Sequence, residues 1–192
     1  MVKKRLIVFI LIIPIISFLT VAIFLRVFSK QSPTAVQEVP TTFTTYTSPV
    51  ASFSLQVPEN WAVENPPQSS NPYLVFAAWN AETRVEVTLE YRDFGSLEKF
   101  RERVRDDITI FPGVTITGEG ETTVNRSPAY WFEYLFPGER GEMQGRLYLF
   151  SRNQGFYRII CLSSRKNFTQ YLPILERIIQ SFTFVTNRDT GS

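Results

Sequence analysis

Chemistry has few places to start in this chain. Its 192 residues include no histidine and a single cysteine, which removes His-based acid or base catalysis, the ordinary zinc sites and disulfide staples together. Cys161 lies mid-strand in FYRIICL and reads as a small buried hydrophobe, because no base is at hand to make its thiolate. Carboxylates are what remain, in the pairs Glu86/Glu90, Asp106/Asp107 and Glu119/Glu121. Glu86 and Glu90 share a strand face with Thr88 between them, roughly 13 Å apart at strand spacing. That is too far for a retaining glycosidase and suits a wetted sheet face better. No loop carries the dense Asp/Asn/Gly spacing of a calcium cage. Gly138, Gly141 and Gly145 lack the lysine and spacing of a phosphate loop. The residues therefore point to no enzyme, no metal and no cofactor.

Polar groups without catalytic company are candidates for recognition. Two stretches stand out: the glycine-rich hairpin Gly138 to Gly145, with Glu139, Arg140 and Glu142, and a mixed-charge helix face with Arg101 and Arg105. The formal charge of +2 conceals a division. Lys3, Lys4, Arg5, Arg26 and Lys30 flank an apolar segment; removing these five from 20 basic residues leaves 15 against 18 acidic ones, about −3 for the remainder. A weakly acidic domain is a poor nucleic-acid binder, so a protein partner is expected and a nucleic acid is not.

The elements that position these groups follow from periodicity. From Leu6 to Leu25 about 20 uncharged residues suffice for one transmembrane helix, and the basic residues around it favour a signal anchor with the domain outside the membrane. The expected organisation is an anchor at 1–28, a Ser/Thr/Pro-rich tether at 29–42, a globular domain at 43–186 and a frayed tail at 187–192. Ala129 to Leu162 reads as three consecutive antiparallel strands with large apolar groups on both parities, hence a sheet covered on both sides. Asn153-Gln154-Gly155 offers a glycine for positive φ in one turn, and Pro137 to Gly141 opens a longer polar connection.

Other strands are expected at Phe53–Val57, Trp61–Val63, Leu74–Trp79 and Arg84–Tyr91, the last pair with one wet face, and at Val114–Gly120 and Thr122–Arg126. Ser96 caps a helix to about Ile110 with Leu97, Phe100, Val104 and Ile108 on one stripe. A second helix, from about Phe168 to Ser181, places Pro173 in its first turn.

Three stretches, FSLQVPENW (Phe53–Trp61), SPAYWFEY (Ser127–Tyr134) and LPILERIIQSF (Leu172–Phe182), resemble the PsbP-like family with its DcrB-like and Ran-binding Mog-type relatives. The resemblance implies an α+β fold, an antiparallel β-sheet sandwiched by helices, and non-enzymatic accessory roles that in phototrophs serve photosystem II on the lumenal side. Metal ions accompany some members, but no ligand position carries over to a chain without histidine. The expected function is a non-catalytic, membrane-anchored extracytoplasmic domain that binds protein or supports a complex. The alternative is a small-ligand carrier with a pocket between helix and sheet, lined by aromatics such as Trp61, Trp79 and Trp131.

Overall fold

Alternation along the β-strands decides which layer each residue joins. In the computed structural model, residues 42–64, 71–81, 83–153 and 155–185 are described. Strands β1 (Phe43–Thr47), β2 (Phe53–Pro58), β3 (Ala62–Glu64), β4 (Leu74–Trp79) and β5 (Thr83–Glu90) lead to helix α1 (Leu97–Thr109). Then come β6 (Thr115–Val124), β7 (Ser127–Gly138), β8 (Gly141–Arg152), β9 (Gly155–Ser164), helix α2 (Arg165–Ser181) and β10 (Thr183–Phe184). Seven strands form one antiparallel sheet in the order β3-β4-β5-β9-β8-β7-β6, and β1, β2 and β10 form a separate three-stranded sheet.

On β8, Leu147 and Leu149 belong to one buried cluster, while Tyr148 and Phe150 belong to the other. The first cluster takes Phe100 and Val104 of α1; the second takes Phe168, Tyr171, Leu175 and Ile178 of α2, together with Phe53 and Leu55 of β2. Because successive strand residues point to opposite faces, α1 covers one side of the large sheet, and α2 with the small sheet covers the other. The expected cover on both flanks is therefore present, with a second sheet sharing one flank.

Phe182 is the hub of the deeper side. Its ring lies 5.0 Å from Phe53 and 4.9 Å from Phe150, and Phe184 follows at 5.3 Å. On the α1 side, Phe94, Phe100 and Phe156 meet at centroid distances of 4.7 to 5.0 Å.

Several expectations change at the turns. The break expected within 114–126 is absent: β6 runs unbroken, with a bulge between Ile116 and Gly118, and Asn125 and Arg126 take the positive-φ turn positions. The longer connection expected at 137–141 is instead a tight one, since Gly138 pairs with Gly141 and only Glu139 and Arg140 lie between them. At the next hairpin Asn153, with φ of 50°, adopts the left-handed conformation. Gly155 serves there for close approach, because a Cβ would come within 2.9 Å of Leu89 Cδ1.

Helix α2 starts at Arg165, so Pro173 lies inside it, about two turns in, and removes the bond that a residue there would donate to the Thr169 carbonyl. Burial of Phe168, Tyr171, Ile174, Leu175, Ile178 and Ile179 outweighs that loss. Helix α1 matches its expected start, with Ser96 Oγ accepting from the Lys99 N–H at 3.1 Å.

Among the described residues no helix is long and apolar enough to cross a membrane. The expected span at 6–25, the tether 29–40 and the tail 187–192 lie outside the described residues.

Candidate partner-binding surface

The two candidate stretches occupy different neighbourhoods. Helix α1 keeps Phe100 and Val104 on the sheet, which turns Arg101 and Arg105 toward the outer strand β6. There both meet one carboxylate: Arg105 Nη1 is 3.0 Å from Glu119 Oε1, and Arg101 Nη2 is 3.9 Å from Glu119 Oε2. The Arg101 guanidinium also lies over the Tyr130 ring, 4.9 Å from its centroid. Glu119 is thus the pivot of this face. Along the sequence Glu119 belongs only to one of three carboxylate pairs that lead to no enzyme, and strand pairing alone reveals that it faces α1.

The hairpin is anchored at its base. A Cβ on Gly113 would fall 2.7 Å from Pro137 Cγ, so the loop leaving α1 packs tightly on the start of the turn. Glu142 is ion-paired to Arg165 at the beginning of α2. Glu139 and Arg140 are exposed at the tip. The structure brings Arg101 and Arg105 together on Glu119, but places Glu139, Arg140 and Glu142 on a separate projection tied to α2.

Further ion pairs lie within the layers. Glu133 and Arg146 are direct cross-strand partners on β7 and β8. Arg146 Nη2 donates to Glu133 Oε2 at 2.6 Å, with Glu176 of α2 at 3.4 Å on the other nitrogen. Burial acts to lower the Arg146 pKa, but its hydrogen bonds to Glu133 and Tyr148 outweigh that and hold it above the ordinary value.

On the α1 side, Arg84 donates to Glu86 at 2.6 Å, and Arg158 is paired with Glu90. The expected wet face of β5 is mostly closed: Glu86 and Thr88 are only 6% and 5% exposed. Pairing lets Glu86 remain there. Burial still raises its pKa, against the opposing pull of Arg84. These pairs escaped sequence reasoning, although Arg84 and Glu86 at i and i+2 on one strand face were a legible signal.

Cys161 is buried, and its thiol is pushed up to about 12 by burial. It therefore stays protonated at neutral pH, as a packing group would. The crevice beneath α2, lined by Arg146, Tyr148, Cys161, Phe168, Leu175 and Glu176 among others, has no room to seat a water molecule. None of the three tryptophans lines it. Trp61 is buried in the core, and Trp131 packs over glycines of β6. No group of three or more potential metal ligands occurs among the described residues.

A two-sided antiparallel sheet with one helix per flank and an accessory sheet defines an α+β sandwich. The chain belongs to the PsbP-like protein family, whose pattern matches residues 5–184. No curated protein is significantly similar in sequence.

Among solved structures, the fold is similar to cyanobacterial PsbP (CyanoP) from Synechocystis sp. PCC 6803, with a TM-score of 0.57 at 11% identity over 81% of this chain and 98% of that one. It is also similar to the Saccharomyces cerevisiae Ran-binding protein Mog1p, with a TM-score of 0.54 at 11% identity over 77% and 97%. LpqN, involved in cell envelope biogenesis of Mycobacterium tuberculosis, gives 0.54 at 12% identity over 87% and 98%. At these identities the likeness concerns the fold.

Proposed function

We propose that this protein is a non-catalytic accessory domain that binds another protein, tethered by its N-terminal segment to the extracytoplasmic face of a membrane. The observation that carries the reading is the commitment of the interior carboxylates: Glu86, Glu90 and Glu133 are each held by an arginine, so they brace layers. The outer surface carries further charge, at the exposed tip Glu139–Arg140 and along the α1–β6 face, where Arg105 pairs with Glu119.

A Ran-binding neighbour of the same fold supports a protein partner. The uncharged run from Leu6 to Leu25 supports the anchor. In a phototrophic host the reading extends to a photosystem II-type accessory role. The crevice beneath α2 is too tight to favour a carrier.

The test places a photo-crosslinking residue at Glu139 or Arg101 in the full-length chain and, as a control, at Ser54 on the outer face of the small sheet, across the large sheet from Arg101. Irradiation of intact membranes is expected to give one discrete adduct from the surface positions and none from the control. Reproducible absence of any adduct at both surface positions would overturn the reading. A carboxy-terminal tag digested by protease only after the extracytoplasmic side is opened to it checks the orientation.

A further inference from the structure

The large sheet ends very differently at its two borders. On one border β3 has three residues, too short to template another strand. On the other, β6 presents ten residues, TITGEGETTV, and is followed in the strand order only by β7. Among the described residues, no backbone hydrogen bond from Thr115–Val124 goes anywhere but β7. Half of its backbone donors and acceptors therefore face outward.

The two faces of this edge have distinct chemistry. Glu119 and Glu121 are opposite Phe132 and Tyr130, which places both carboxylates on the α1 side. Arg101 and Arg105 engage Glu119, whereas Glu121 is exposed. On the other side, Gly118 and Gly120 have no side chains and the half-buried Trp131 indole fills the space, 3.0 Å from where either Cβ would be. On one side the edge thus carries Glu121, exposed, next to a Glu119 already matched by two arginines, and on the other it carries two glycines covered by an indole.

We propose that β6 is a strand-addition site for an extended segment of a partner protein, basic on one face and apolar on the other. Main-chain bonds supply the affinity and the alternating side chains supply the selection. A basic residue of the incoming strand faces Glu121, and its apolar residues lie alongside Gly118 and Gly120 against the edge of the Trp131 indole. A second copy of this chain is a poor occupant, because its own edge brings two more glutamates and no lysine or arginine to this border. The inference rests on the protein-binding reading above and names the partner's chemistry.

Full-length protein in detergent is titrated against fluorescein-labelled decapeptides, read by anisotropy. A peptide alternating lysine and valine is expected to saturate and to bind about fivefold more tightly than one alternating glutamate and valine, the size expected from one cross-strand charge pair at Glu121. N-methylation of all its lysine amides, or of all its valine amides, is expected to abolish binding in one case and spare it in the other, because successive N–H groups of a strand point to opposite edges. Glu121→Lys, an exposed change, is expected to reverse the charge preference while leaving the thermal melt unchanged.

Equal binding of the two charge types, or equal tolerance of both methylated peptides, overturns the proposal. So does self-association in sedimentation that Glu121→Lys abolishes, which would assign the edge to a second copy. Peptides that fail while the surface crosslinker still captures a partner remove this edge and leave the protein-binding reading intact. Failure of both removes the two together.

Discussion

The flanks of the seven-stranded sheet solve the same burial problem by different means. The α2 flank is an aromatic core in which Phe182 contacts Phe53, Phe150, Tyr157 and Phe184, closed by a helix and a small sheet. The α1 flank has a smaller apolar centre around Phe100, Val104 and Phe156, and beside it a strip of ion pairs, Arg84–Glu86 and Arg158–Glu90. Rings bury apolar area without needing partners. Buried charges stay only when every one is matched. Stability thus concentrates on the first flank, while the second sets charge pairs beside its apolar centre and carries the Arg101, Arg105 and Glu119 part of the candidate surface.

The largest test of this contrast removes the hub on each side. Phe182→Ala is expected to cost about 4–5 kcal/mol, toward the upper end for a buried Phe, and Phe100→Ala about 3 kcal/mol, both read from urea unfolding of the full-length chain. An equal or reversed order would break the comparison.

Next in size is Gly145→Ala, on the α1 flank, where an added methyl would lie 2.4 Å from the Tyr134 ring. Displacing that ring is expected to cost about 1–3 kcal/mol, and a smaller aromatic, Tyr134→Phe, should leave the effect in place. Additive loss in the Gly145→Ala, Tyr134→Ala double variant would show that the ring is not what the methyl meets.

The smallest effect is the pH dependence of Glu86. Its folded-state pKa is raised above the ordinary 4.5, so the folded state binds this proton more readily than the unfolded one does. The resulting stability is fully present below the ordinary value and is lost as pH rises through the raised one. Glu86→Gln lacks that step. The stability difference, variant minus wild type, is therefore expected to increase with pH across that interval; a flat difference in urea midpoints would mean that Arg84 fully offsets the burial.

Much of this contrast is legible along the chain. Tyr148 and Phe150 alternate with Leu147 and Leu149, which already requires cover on both flanks, and Ser96 announces α1. Turns are less legible. Gly155 looks like a positive-φ residue, yet Asn153 takes that role, because the need for a small residue there comes from Leu89 on a strand distant in sequence. Pro173 looks like a first-turn proline, but α2 extends back to Arg165 because tertiary burial of Phe168 outweighs local propensity.

The candidate surface divides in the same way. Glu139, Arg140, Glu142, Arg101 and Arg105 are visible as charged residues in exposed contexts, but Glu119 as their counter-ion on β6 is not.

Local order, then, determined by itself the body of each strand and helix and the apolar faces that must leave water, but not the start of α2 or the closure over β5, since periods of about 2 and 3.6 are properties of neighbouring residues. Composition equally set which side chains are on hand, with no histidine and one cysteine. Tertiary structure alone decided which charges meet, which strand ends the sheet and where the second sheet docks. Those outcomes depend on pairing between residues far apart in the chain, as Arg84 with Leu162 shows, where no hairpin turn joins the two strands to fix their register.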